Sequence, residues 1–485
     1  MEAVVAFVFK KLGAAVVMPV IFAVLGKLIG IKLSKAIKSG LLVGVGFMGL
    51  GLVTGLLTAD KKAFDFGLAL GNMMDTLGLN LKSFDLGWPA AAAVAYSTAV
   101  GAFVIPICLA VNAVLFVCKV TRTVNIDLWN YWHYAFVGAV VALMSGSMAW
   151  GFFAAIICFV VTLVMADMTA KGFQSYYADM DGISIPQPFC QSFVPFALAV
   201  NWCVDRIPGL NKVELDAEGM KQKFGLLGEP VFLGVVFGMA VGFLSTETFS
   251  AIKAVVGADG FFGAMTLAHI QAFGSRIVPE LPVVFKPGIA MGAVMVLIPR
   301  ITGLFIEGLK PIAEKTREVV SSRASGAAVS IGMSPALVIG HPTTLVVSIL
   351  LIPVTILLAV VLPGNKFLPV ASLAGIFYLF PCVLPITKGN VVRTFLVGVA
   401  AMVAGLYFVT NLAPYFAKAV ASCGSSEYQI PAQFESGAAL DFAAALQCWV
   451  IYHGTVTLKW IGAGLLVLFT VGMCAVNFVR IRRLK

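Results

Sequence analysis

Four short stretches of this 485-residue chain set ionisable, amide and aromatic side chains beside glycine or proline. The first is Asp85-Leu86-Gly87-Trp88-Pro89. A carboxylate beside a flat indole suits a polyhydroxylated ligand, whose C–H faces lie on the ring while its hydroxyls bond the acid. The same residues also make a helix cap followed by an interfacial tryptophan. The second is Asn125-Ile126-Asp127-Leu128-Trp129-Asn130-Tyr131-Trp132-His133. Its aromatic residues fit a membrane-interface belt, whereas its amides and His133 fit ligand binding better. In the third, Gly228-Glu229-Pro230, Glu229 either caps a helix or accepts a ligand hydroxyl. In the fourth, Gly340-His341-Pro342-Thr343-Thr344, a glycine–proline break frees backbone groups, and His341 and Thr343 add polar side chains. The candidate ligand-binding residues are Asp85, Trp88, Asp127, Asn130, His133, Glu229, His341 and Thr343.

The elements that must position them are set by composition. The chain is 60% hydrophobic and only 12% charged, with a mean hydropathy of +0.99. So few charges cannot keep so much apolar surface in water, and the pattern reads as an all-α polytopic membrane protein. Apolar runs predict spans near 13–29, 39–58, 89–118, 134–165, 183–204, 230–256, 281–298, 337–362, 367–385, 393–413 and 456–479. The run 134–165 is too long for one straight span and carries a break at Ser145-Gly146-Ser147. Segments 61–87, 261–280 and 329–343 are partly apolar and punctuated by glycine and proline, which predicts re-entrant or interfacial elements. In all, about 10 to 12 helices should cross or enter the membrane.

The net charge of +10 sits in segment ends and loops, notably 205–229, 307–330 and the C-terminal Arg480, Arg482, Arg483 and Lys485. Positive loops face the cytoplasm and anionic lipid, so a cytoplasmic C-terminus is expected and a nucleic-acid partner is not. The N-terminus lacks the pattern of a cleaved signal peptide, which makes the first span a retained anchor. Cys423 and Cys448 lie in the most polar late stretch and could pair on an oxidising side. The histidines and cysteines show no metal-ligand spacing, and there is no nucleotide-binding GxxxxGK[ST] and no GxSxG, so neither a metal, a cofactor nor a catalytic residue is expected.

The chain also echoes itself. Pro89 is followed by Pro106 as Pro335 is followed by Pro353, with similar flanking residues. Paired broken helices are a transporter signature and point to the binding site. The whole then reads as one membrane-embedded domain, with repeat halves near 13–204 and 230–413 and a C-terminal span at 456–479.

In these stretches the sequence resembles the galactitol permease family, the membrane IIC component of the bacterial phosphoenolpyruvate-dependent sugar phosphotransferase system. The residues that carry the resemblance run in order along most of the chain. They include GVGFMGLGLVTGL (44–56), LNLKSFDLGWPA (79–90), TRTVNIDLWNYWHYAFVGA (121–139), IPGLNKVELDAEGMKQKFGLLGEPV (207–231), GMSPALVIGHPTT (332–344) and IPVTILLAVVLPGNKFLP (352–369). Residues 414–455 fall outside it. The resemblance implies a permease in the inner membrane that binds galactitol or a related polyol or sugar. A separate cytoplasmic IIB subunit, itself phosphorylated on cysteine by a IIA subunit, phosphorylates the substrate. It further implies a homodimer with a scaffold and an elevator-like core, and no phosphorylation site in this chain. Two other readings compete: an ion-coupled secondary transporter using Asp127 or Glu229, and a membrane scaffold without transport.

Overall fold

A computed structural model describes residues 14–483 except 56–65, 80, 179, 217, 220–228, 265, 324–328, 370, 424–429 and 431–433. The basic cluster Lys221–Lys223, Gly228 and the rest of 220–228 lie outside the described residues. The chain begins with α1 (Ala14–Leu28), α2 (Leu33–Gly55) and α3 (Phe66–Leu77). Then come β1 (Ser83–Asp85), α4 (Gly87–Ala95), α5 (Ala99–Val117), β2 (Thr123–Asn125), α6 (Tyr131–Ser145) and α7 (Met148–Tyr176). The first half closes with β3 (Ile183–Ser184), α8 (Pro188–Ser192) and α9 (Val194–Val204). The second half opens with α10 (Pro230–Leu244), α11 (Glu247–Ala264) and α12 (Leu267–Arg323), then β4 (Ser330–Gly332) and α13 (Pro342–Val361). It ends with α14 (Leu384–Thr387), α15 (Val391–Ser422), β5 (Ser436–Ala438), α16 (Leu446–Tyr452) and α17 (Lys459–Arg483).

Six helices among the described residues are long and apolar enough to cross a membrane, and a seventh span results if the bent pair 234–244 and 247–258 counts as one. This is a multi-pass membrane protein. The expected break at Ser145-Gly146-Ser147 is present: Gly146, at φ +68°, ends α6 and α7 starts at once. Two expectations are corrected. Residues 267–298 form one stretch of the continuous α12, not a re-entrant element followed by a separate span. Pro279, Pro282 and Pro287 read as breaks, yet a helix packed among other helices tolerates them because neighbours re-satisfy the freed backbone. Residues 367–385 are not a span but an irregular stretch with a 3₁₀ helix at Ala371–Leu379. Its apolar residues Leu373, Ile376, Phe377, Leu379 and Phe380 are almost wholly buried in protein. Hydropathy counts burial against protein and burial against lipid alike.

The helices fall into two groups. In the first, α1 packs on α2, α2 on α12, α10 on α12, and α3 on α10. Gly234, Gly238 and Gly242 recur at four-residue spacing along α10 and let it approach α12 at backbone distance. A Cβ on Gly238 would stand 2.3 Å from the Pro287 carbonyl oxygen, and one on Gly242 would stand 2.5 Å from that of Val283.

The second group holds α4–α9, α13–α17 and all five strands. Two small parallel sheets tie it together. One has the order β2-β4-β3, and the other pairs β1 with β5 and, through a bridge, Ser83 with Phe367. In each, a central strand from one half of the sequence lies between edges from the other half. Non-helical backbone at membrane depth is tolerated only inside protein, and the strands supply the hydrogen bonds the broken helices have given up.

α17 closes this group. Asp167 accepts from the Arg122 backbone N–H at 2.9 Å, from Thr123 Oγ1 at 2.6 Å and from Asn477 Nδ2 at 2.8 Å. Arg480 donates to the Asp167 carbonyl at 2.7 Å. One C-terminal arginine counted as a topological charge is therefore part of a buried joint. No disulfide joins Cys423 and Cys448: Cys448 is a buried thiol, and the Cys423 Sγ–H donates to the Ala419 carbonyl.

Candidate substrate site

The strand ends deliver acids into the second group. Asp127, two residues past β2, is 1% exposed. Its Oδ1 accepts the Trp129 backbone N–H at 3.0 Å, and its Oδ2 accepts the Ser334 backbone N–H at 2.8 Å. One carboxylate thus closes its own turn and latches the loop after β4. Asp85, at the end of β1, repeats the device. Its Oδ1 accepts from the Gly87 N–H at 3.0 Å and from Ser372 Oγ at 2.6 Å, while Oδ2 accepts the Ser372 N–H at 2.9 Å. Gly87 opens α4 at φ +67°, a conformation that favours glycine.

The 3₁₀ turn Leu128–Asn130 and the start of α6 bring the rings together. Trp88 meets Trp129 edge-on at 5.4 Å between centroids, and Trp129 meets Trp132 at 6.0 Å. Trp132 stacks on His133 at 3.8 Å, and His133 meets Phe442 at 5.3 Å. Asn130 donates to Asn125 Oδ1 at 3.2 Å, and the Tyr131 hydroxyl donates to the Asn125 carbonyl at 2.9 Å.

The hydrogen bonds of His133 fix its proton. The Gln187 carbonyl oxygen accepts the Cys190 backbone N–H at 2.7 Å, so the Gln187 amide nitrogen, 3.1 Å from His133 Nε2, must donate. Nε2 is then the acceptor, and Nδ1 carries the proton, donated to the Asn130 carbonyl at 3.2 Å. His133 is a neutral imidazole.

Among the described residues, four polar atoms in this region are buried without a partner: Trp88 Nε1, Asn130 Oδ1, Trp132 Nε1 and Asp441 Oδ2. An unmade hydrogen bond on a buried polar group costs about 1–3 kcal/mol. Such groups in one place mark where a ligand or ordered water completes the network.

Asp85, Trp88, Asp127, Asn130 and His133 are thus brought into one connected region. His341 and Thr343, at the start of α13 in the same helix group, have other partners. His341 sits between Tyr176 and Tyr177, at 5.5 and 5.6 Å between ring centroids, and its Nδ1 caps α13 by accepting the Thr343 N–H at 3.2 Å. Thr343 Oγ1 donates to the Gly389 carbonyl at 3.3 Å. Glu229 occupies the N-cap position of α10 without a side-chain cap bond.

Sequence reasoning passed over Trp132, Gln187, Ser334, Ser372, Asp441 and Phe442. Asp441 had a signal of its own, an acid set in the apolar run Ala438-Ala439-Leu440-Asp441-Phe442-Ala443-Ala444. The others take their meaning from partners across the fold.

Comparison with known proteins settles the family. Residues 7–436 match the family EIIC-GAT, the PTS system sugar-specific permease component. The chain belongs to this family. It is a sugar permease of the phosphotransferase system. A protein of Escherichia coli (strain K12) described as "Putative permease IIC component" is 36% identical over 416 residues, 86% of each chain. The PTS system galactitol-specific EIIC component of the same organism is 31% identical over 414 residues, covering 85% of this chain and 83% of its own. The clusters quoted above for the resemblance all fall within the matched residues.

Proposed function

We propose that this permease carries galactitol or a closely related polyol or sugar across the bacterial inner membrane for phosphorylation by a separate cytoplasmic IIB subunit, which is recharged by IIA. The observation that carries this reading is the group of buried polar atoms without partners among the described residues, beside tryptophans that meet edge-on, in a chain alike over most of its length to a galactitol-specific component. Trp88 offers its ring to the C–H face of the substrate and its indole N–H to a hydroxyl. Asn130 Oδ1 accepts from a hydroxyl, and the neutral His133 holds the floor of the site. Asp127 and Asp85 frame the site through the loops they latch, and each Asp127 oxygen keeps acceptor capacity for a hydroxyl. His341, Thr343 and Glu229 act from elsewhere as the site opens to the cytoplasm.

The repeat halves 13–204 and 230–413 then meet in both sheets, the second through β4 in one and through the bridge at Phe367 in the other. The strand-tied group is the moving core, and the glycine-packed bundle is the scaffold through which two copies form a homodimer among lipid. The C-terminus faces the cytoplasm.

The test uses membrane vesicles containing the protein, labelled galactitol, IIA, IIB, the general phosphotransfer proteins and phosphoenolpyruvate. Galactitol phosphate accumulating only when IIB is present is the expected result. Unmodified galactitol accumulating without IIB would replace this reading with an ion-coupled transporter.

A further inference from the structure

Ser372 is the hinge of a second observation. Its hydroxyl has one proton, which goes to Asp85 Oδ1 at 2.6 Å, while its oxygen accepts the Leu440 backbone N–H at 2.8 Å. Asp441, next in the chain after Leu440, lies beside the same hydroxyl and within electrostatic reach of Asp85. At 2.6 Å that proton points to Asp85, although the Ser372 hydroxyl is near enough to the Asp441 carboxylate to interact with it. Asp441 Oδ2 is out of solvent and accepts from no group among the described residues.

Neighbouring geometry holds the carboxylate there. Gly375 has no side chain, and a Cβ at that position would stand 2.5 Å from Asp441 Oδ1. Phe442 packs against His133, on which Trp132 stacks with its own N–H unpartnered. Trp132 is 4% exposed. The free acceptor on Asp441 and the free donor on Trp132 thus belong to the chain neighbours of the two rings in the histidine–phenylalanine contact. A spare acceptor and a spare donor together are the complement of a ligand bearing several hydroxyls, each both donor and acceptor.

We propose that Asp441 is a specificity-determining residue that accepts a hydrogen bond from one particular hydroxyl of the transported polyol. This rests on the polyol-permease reading above. Asp441 lies beyond residue 436, where the match to the family ends. Asp85 supports it as a positioning residue, because by taking the only Ser372 proton it leaves Asp441 open to the substrate.

The experiment measures equilibrium binding of galactitol and a set of its monodeoxy analogues to the purified full-length protein. It compares wild type, Asp441→Ala, the near-isosteric Asp441→Asn and Gly375→Ala, which displaces the carboxylate without removing it. Wild type should lose about 10- to 150-fold in affinity when one specific hydroxyl is missing. Asp441→Ala should bind galactitol more weakly by a similar factor and bind that deoxy analogue no worse than galactitol. Gly375→Ala should move in the same direction. Asp441→Asn, which keeps the volume, should show altered preference among the analogues even if Asp441→Ala folds poorly. A variant set that binds galactitol as wild type does, or loses affinity equally for every analogue, would overturn the assignment of Asp441 while leaving the polyol reading in place. Wild type that binds neither galactitol nor any analogue would overturn both.

Discussion

The glycine-packed bundle and the strand-tied group are built from equally apolar sequence and solve different problems. In the bundle, long helices meet through bare glycine surface, as along Gly234, Gly238 and Gly242. In the strand-tied group the helices are broken. Their freed N–H and C=O groups go to two small sheets and to the carboxylates of Asp85 and Asp127. This group spends polar groups at membrane depth, and some are left over for a ligand. Function concentrates where the backbone is irregular, because only there does the protein interior offer directed polar groups.

The largest effect expected from breaking this contrast is on the latch. Asp127→Ala leaves the buried N–H groups of Trp129 and Ser334 without acceptors. At about 1–3 kcal/mol each, the loss is about 2–6 kcal/mol. Thermal unfolding in detergent should show a clear drop, and galactitol binding should fall with it. An unchanged melting curve would mean that the carboxylate is not what joins the loop after β4 to β2.

A smaller, and differently distributed, effect is expected in the bundle. Gly238→Leu forces side-chain atoms against the Pro287 carbonyl, and overpacking of this kind costs about 1–3 kcal/mol. Melting temperature should fall while the folded fraction binds galactitol with wild-type affinity. A weakened affinity at unchanged stability would erase the division between bundle and binding group.

The smallest effect is expected at the rim. Lys82 pairs with Glu435 at the surface, one residue before each of β1 and β5, and its ammonium holds the Glu435 carboxyl below its ordinary value. A lowered carboxyl pKa adds stability above the unfolded value, and this is lost as pH falls through the folded one. Exposed pairs contribute little. Glu435→Gln should therefore leave galactitol binding and neutral-pH melting as they are, and should flatten only the acid limb of the stability profile. A large loss at neutral pH would show that the ion pair, not the sheet, joins β1 to β5.

Much was legible in the chain before any coordinates. Composition and apolar run length determined a helical membrane protein, because a bilayer demands about 20 apolar residues per crossing whatever the fold. Glycine and proline marked the breaks at Gly87, Gly146 and Gly340-His341-Pro342, and five of the candidate residues converge on one region. What only the tertiary structure decided was of two kinds. Hydropathy cannot tell a residue buried in protein from one facing lipid, so 367–385 read as a span and 267–298 as two pieces. Nor can a sequence show which donors an acid has already used. Asp85 and Asp127 looked like substrate acceptors and are first of all latches, while Asp441, in an apolar run late in the chain, keeps its oxygen free. Which acceptor remains open is fixed by hydrogen bonds between residues far apart in the chain, from Asp85 to Ser372 and from Ser372 to Leu440, and those exist only once the halves of the chain have exchanged their strands.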